Sequence, residues 1–210
     1  NDLQHNIYNV FSQYEISPTV NIQAEYRHRE TEHGDLQLQG ANDFFDNSYR
    51  RKIDQDTYRL GFKYSPASHS DILVSLIHAN RKELVNNSFE RDGNIYLSND
   101  NLNTDSYDFE TQHLFHYDYI NTITGLGVYH TDNNELQKNT NPETVCPCLI
   151  NYNTTQYFGY LYSNLKVNDG LNITVGLSYD KYNNNSRFKK SPSGKIVVDR
   201  DEGADVNEIN

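Results

Sequence analysis

TTQYFGYLYSNLKVNDGLNITVGLSYDKY, residues 154 to 182, decides the fold class. Two runs of about a dozen residues flank Asn168-Asp169-Gly170. Asp-Gly between alternating apolar runs signals a hairpin, because both turn residues can take the positive φ of a type I′ turn. The second run places Leu171, Ile173, Val175, Leu177 and Tyr179 on one side and Asn172, Thr174, Gly176, Ser178 and Asp180 on the other, as strand geometry with a period of two requires. In the first run Phe158, Tyr160 and Tyr162 compete with Leu161, Leu165 and Val167 for the apolar side. The aliphatic set is the one expected to join Leu171 to Leu177.

The same plan recurs upstream. Ile7 to Ile16 alternates, Ser17-Pro18 turns the chain, and Val20, Ile22, Ala24 and Tyr26 then oppose Asn21, Gln23, Glu25 and Arg27. Tyr58, Leu60, Phe62 and Tyr64 oppose Thr57, Arg59, Gly61 and Lys63, and a turn near Ser65 to Ser70 leads into DILVSLIHAN, whose sidedness is unreadable because Ile72 to Val74 is apolar throughout. An aromatic strand, Tyr107 to Tyr117, and TITGLGVYHT follow. The expectation is one all-β unit over residues 1–210, an antiparallel meander of about eight strands, with hairpins at about 7–32, 55–84, 106–132 and 154–182.

Connections alternate. Short turns fall near residues 17, 65, 119 and 169, and long polar loops are expected at about 33–54, 82–105, 133–153 and 183–210. A soluble sandwich has no reason to gather every long loop at one end, whereas outer-membrane barrels combine short periplasmic turns with long extracellular loops. The pattern therefore predicts the wall of a transmembrane β-barrel. An Arg or Lys on the lipid face at the bilayer midplane costs about 2–4 kcal/mol, which turns Arg27, Arg59 and Lys63 toward the lumen, with Glu25 on the same side as Arg27 and with Asn172, Thr174 and Ser178 on the wet side of the 154–182 hairpin. Tyr26, Tyr58, Leu60, Phe62, Leu171, Ile173, Val175 and Leu177 are then expected to face lipid. Tyr14, Tyr64 and Tyr179 fall near strand ends, where amphipathic rings form interfacial girdles.

Composition narrows the function. Seventeen Tyr and nine Phe accompany a net charge of -11 and a mean hydropathy of -0.85. No stretch approaches the roughly 20 apolar residues of a spanning helix. The acidic balance lacks the clustered Lys and Arg of a nucleic-acid footprint. No GxSxG, HExxH or Gly-rich phosphate loop occurs, so no catalytic residue and no cofactor is expected, and the chain is read as a non-enzyme. Cys146-Pro147-Cys148 offers too few ligands for zinc and is read as loop thiols or a tight local disulfide. Asp199, Asp201, Asp205 and Glu208 do not follow the calcium-loop order, so no metal is expected. Arg50, Arg51 and Lys52 are the loop residues best placed to meet lipopolysaccharide or an acidic ligand.

Val20 to Leu38, Asp56 to Pro66 and the 160–180 hairpin resemble wall segments of large outer-membrane barrels of the TonB-dependent receptor type, and the barrel regions that follow tetratricopeptide repeats in some Gram-negative proteins. The resemblance is one of strand and turn style over most of the chain. It implies a barrel of about 22 strands of which this chain holds a part, located in the outer membrane of a Gram-negative bacterium. The partners implied are membrane lipid and lipopolysaccharide, an extracellular ligand, and a periplasmic energy-coupling protein or a repeat domain. Uptake of that ligand is the expected function, with polysaccharide export or a soluble all-β binding module as alternatives.

Overall fold

The computed structural model describes residues 3–34, 48–91, 93–140, 148–190 and 198–209. Its nine strands are β1 (Leu3–Ser17), β2 (Val20–Gly34), β3 (Arg50–Ala67), β4 (Ser70–Arg91), β5 (Asn94–Tyr117), β6 (Ile120–Asn139), β7 (Cys148–Asn168), β8 (Leu171–Lys190) and β9 (Val198–Ile209). They form one antiparallel sheet in sequence order, each strand paired with the next.

Four two-residue turns lie along one end of the sheet, closed by Ser17 with Val20, Ala67 with Ser70, Tyr117 with Ile120 and Asn168 with Leu171. The Asp169-Gly170 turn departs from the type I′ expectation, since Gly93 is the one glycine among the described residues with positive φ. A register shift between Lys166 and Asn168 absorbs the reversal, and the Asn168 side-chain oxygen accepts the Gly170 N–H at 2.9 Å.

Among the described residues, much of what is expected as long loops is strand, while residues 35–47 of the 33–54 loop lie outside the described residues. Between 82 and 105, β4 and β5 stay paired up to Arg91 and Asn94, joined by a tight turn in which Gly93 has φ 73°. The stretch 133–153 holds the end of β6 and the start of β7, and 183–210 holds the end of β8 and all of β9, the strand beyond the expected eight. Cys146 lies outside the described residues. At 22 and 24 residues, β4 and β5 far exceed the 9–11 residues that cross a bilayer. In the parts of these strands farthest from the short turns alternation fades while backbone pairing continues.

Register sorts the side chains onto two faces, because directly paired residues point the same way. One face carries Ile22, Phe62, Val74, Leu126 and Tyr179 in a single row, and Ala24, Leu60, Leu76, Phe109, Val128 and Tyr157 in the next. Leu161 pairs with Leu177 and Leu165 with Ile173 on this same face. The other carries Glu25, Arg59, Ile77, Asp108, Tyr129 and Gln156 in one row. Thus all residues expected to face lipid share one side and all those expected to face the lumen share the other.

The two faces differ in crowding. The buried polar side chains, Thr31, Glu83, Thr131 and Asn133, all lie on the second face. A Cβ added there at Gly61 would lie 2.5 Å from the Gln23 side chain, and one at Gly127 would lie 2.5 Å from the Phe109 carbonyl oxygen. On the first face a Cβ at Gly159 meets nothing nearer than 3.7 Å. Side chains converge on the inside of a curved sheet and splay on its outside, so the second face is concave.

Among the described residues no hydrophobic side chain is buried, and Leu60 and Leu177 are each 57% exposed. A single sheet with an apolar convex face has no partner layer of its own. Soluble domains bury such a face against another layer.

Candidate functional site: the concave wall and its outer rim

The apolar band of the convex face ends at an aromatic row in which Tyr26, Tyr58, His78 and Tyr107 pair strand to strand. Ring centroids lie 5.1 Å apart for Tyr26 and Tyr58, 6.0 Å for Tyr58 and His78, and 4.6 Å for His78 and Tyr107. In β7 and β8 the band ends lower, at Tyr157 and Tyr179, one and two rows nearer the short turns. A boundary that drifts across the register is what tilted strands produce in a barrel wall.

The next row outward is polar: His28, Asp56, Asn80, Asp105 and Asp132. Asp56 accepts hydrogen bonds from the Tyr26 hydroxyl at 2.7 Å and shares one with His28 Nδ1 at 3.0 Å. His78 Nε2 and Asp105 are 2.8 Å apart. Two of the boundary rings, Tyr26 and His78, are thus anchored by carboxylates just above them.

Among the described residues, His28, Asp54 and Asp56 place one possible metal-ligand atom each within 4.8 Å of one another. Their separation in sequence hid the trio, which the β2–β3 register creates. The hydrogen bond to Asp56, helped by the charge of Asp54, holds His28 above its ordinary 6.5. A raised histidine pKa adds stability that is complete below about 6.5 and is lost as pH rises through the folded-state value. NMR titration of His28 is expected to give a midpoint above 6.5 that falls in Asp56→Asn; an unchanged midpoint would show that the pair does not hold in solution.

On the concave face, Glu25 lies between Arg27 at 2.9 Å and Arg59 at 3.1 Å. Glu83, its side chain 10% exposed, is held by Arg51 at 2.6 Å and by Arg81. Lys63 meets Asp71 at 3.4 Å. Glu25, Arg27 and Arg59 therefore form one cluster, while Asn172, Thr174 and Ser178 sit apart on β8, where Thr174 donates to Asn164 at 2.7 Å. Farther out, burial and the neighbouring Glu135 carboxylate hold Asp100 above its ordinary 3.8. Glu83→Gln leaves two guanidinium groups beside a neutral amide. It is expected to lower the urea resistance of the natural protein by about 1–3 kcal/mol, the scale of hydrogen bonds to charged groups.

Arg50, Arg51 and Lys52 belong to β3 rather than to a loop. They alternate between faces, so Arg51 joins Glu83 inside while Lys52 meets Glu30 at 3.0 Å on the convex side. The expected basic loop patch is not assembled, because extended geometry sends neighbours in opposite directions.

A family model for the TonB dependent receptor-like β-barrel matches residues 2–205. The chain belongs to this family. No curated protein matches its sequence. Several solved structures share the fold, three of them as follows. The ferric yersiniabactin uptake receptor FyuA from Yersinia pestis is 13% identical with a TM-score of 0.69, over 99% of this chain and 34% of that one. The ferric-catecholate import receptor Fiu from E. coli K12 is 11% identical with a TM-score of 0.67, over 99% and 44%. The alcaligin outer membrane receptor FauA from Bordetella pertussis is 12% identical with a TM-score of 0.63, over 99% and 32%. This member of the TonB-dependent receptor family thus spans about a third to under a half of the solved receptors it matches. Family members are Gram-negative outer-membrane proteins, and the matched structures are transport receptors rather than enzymes.

Proposed function

We propose that this chain builds part of the wall of an outer-membrane receptor that takes up an extracellular ligand by coupling to an energy-transducing protein in the periplasm. The observation that carries the reading is the single-layer sheet whose convex face bears a continuous apolar band, with Leu60, Phe62, Leu76, Leu126, Leu161, Ile173, Val175 and Leu177 exposed. Lipid is the solvent that suits that face. The convex residues Tyr26, Tyr58, Leu60, Phe62, Leu171, Ile173, Val175 and Leu177 then face acyl chains, and the concave residues Glu25, Arg27, Arg59, Lys63, Asn172, Thr174 and Ser178 face the lumen. The short turns are periplasmic, and the outer halves of β3 to β8 stand above the membrane as extended hairpins.

The family match favours uptake over polymer export, and two of the solved receptors are a ferric yersiniabactin uptake receptor and a ferric-catecholate import receptor. The test is a deletion strain. The full-length protein should fractionate with outer membranes and confer uptake that stops when the inner-membrane proton gradient is collapsed. Recovery of the protein in the soluble fraction, or uptake indifferent to the gradient, contradicts the reading.

A further inference from the structure

We propose that the concave face of β5 to β8 is a carbohydrate-binding strip. It would take an uncharged oligosaccharide by stacking sugar rings on a ladder of tyrosines and holding the hydroxyls with interleaved carboxylates and amides. The proposal rests on the receptor reading above and names the class of its ligand.

The rings come first. Tyr129, Phe158, Tyr160, Tyr162 and Tyr182 share the concave face through the register of β6, β7 and β8. Three of them lean over glycines of neighbouring strands: Phe158 over Gly127, Tyr160 over Gly125, and Tyr162 over Gly176, where an added Cβ would lie 2.8 Å from the ring. A ring laid against the wall keeps one face free for the lumen. Tyr160 and Tyr162 have centroids 5.6 Å apart and follow one another along β7. The C–H side of a pyranose stacks on such a face, because ring faces are electron-rich and attract weakly positive C–H edges.

Charge selects against other ligands. On β2 to β4 the concave face carries Arg27, Arg29, Arg51, Arg59, Lys63 and Arg81. From Leu102 to Leu114, Ile123 to Glu135, Tyr152 to Tyr162 and Thr174 to Asn184 the concave positions hold no Lys or Arg, while Asp108, Glu110, Glu135 and Asp180 are present. An anionic chelate lying on these positions would meet carboxylates, with cations only at the margins, Arg81 on the β4 side and Lys166 near the short turns. A purely apolar ligand would strip water from them without replacing its hydrogen bonds.

The polar groups are already aimed. Glu110 accepts from the Tyr160 hydroxyl at 2.6 Å and from Gln112 at 2.9 Å. The Gln156 amide donates to Asp180 at 2.8 Å and to the Tyr182 oxygen at 2.9 Å. Beside Tyr129, the Thr131 hydroxyl, 9% exposed, and Asp108 Oδ1 have no hydrogen-bond partner among the described residues. Buried polar atoms of this kind are uncommon in native folds, and ligand hydroxyls would complete them.

The experiment uses the full-length natural protein, purified in detergent, with calorimetric titration of uncharged hexasaccharides (malto-, cello-, manno- and xylo-) and of ferric citrate as an anionic probe. At least one hexasaccharide is expected to bind, at least tenfold more weakly in Tyr129→Ala, and within about threefold of the natural protein in Tyr129→Phe. Asp180→Asn supplies a second reading if Tyr129→Ala does not fold. Absence of binding by all four saccharides overturns the proposal, and if ferric citrate binds instead the receptor reading survives. Saccharide binding that Tyr129→Ala and Asp180→Asn leave unchanged also overturns it. So does a loss of stability in Tyr129→Ala without loss of saccharide affinity, which would mark the strip as packing against protein. Failure of the receptor reading shows separately, as absence of the protein from outer membranes.

Discussion

Val74→Arg is expected to destabilise the membrane-inserted protein by about 2–4 kcal/mol, while Ser75→Arg costs less than about 1 kcal/mol. The two residues are neighbours in β4 and differ only in the face they occupy. Val74 pairs with Phe62 and Thr111 in the convex apolar band. A guanidinium there sits among acyl chains and must be dragged to an interface or left poorly solvated. Ser75 pairs with Gly61 and Glu110 on the concave face. Gln23 covers Gly61, but Ser75 opens onto a groove lined by Gln23, Lys63, Glu110 and Gln112, where Glu110 supplies a counter-charge in a wet environment. Equilibrium unfolding in urea from lipid vesicles measures both. If Ser75→Arg proved the costlier change, the assignment of lipid and lumen faces would be reversed.

The second large effect concerns the glycines of β6. Gly127→Ala is expected to cost about 1–3 kcal/mol, the range for overpacking a closed site, against within about 0.5 kcal/mol for Gly159→Ala. The added methyl at 127 meets the Phe158 ring and also the Phe109 carbonyl oxygen, which as backbone cannot swing aside. At 159 the nearest atom is 3.7 Å away, an ordinary contact. Gly125→Ala meets the Tyr160 ring instead, so pairing it with Tyr160→Ala should recover most of the loss, whereas Gly127→Ala should be rescued only in part by Phe158→Ala. Equal costs at 127 and 159 in the same urea titration would remove the argument that the crowded face is concave.

The part of the fold nearest the short turns was legible because an apolar face on one side and a polar face on the other impose alternation. Tyr58, Leu60 and Phe62 against Arg59, Gly61 and Lys63 carry that signal without any neighbour's help. So do the four short turns. In β4 the signal failed, since Leu73 and Ile77 sit on the concave face among apolar neighbours in sequence. Only pairing with Lys63 and Arg59 reveals their side. The 82–105 hairpin was hidden for a different reason. Its few apolar residues, such as Leu84 with Val85 and Ile95 with Tyr96, fall on both faces among polar ones, so no alternation shows, although Asp92-Gly93 repeats the Asp-Gly signal found at Asp169-Gly170.

The candidate site was legible only as a list of inward residues. Glu25 with Arg27 is local, two apart on one strand face. The contacts of Glu25 with Arg59, Glu83 with Arg51, Tyr160 with Glu110 and His28 with Asp56 each join different strands. They exist because register aligns positions 25 or more residues apart in the chain.

By itself the sequence determined that the chain makes alternating strands with short turns at one end, since side-chain direction along a strand follows from backbone geometry alone. Only the tertiary structure decided how far the strands run past the membrane, which rings cover which glycines, and which charges meet. Those depend on register and curvature between strands, which no single strand's sequence contains.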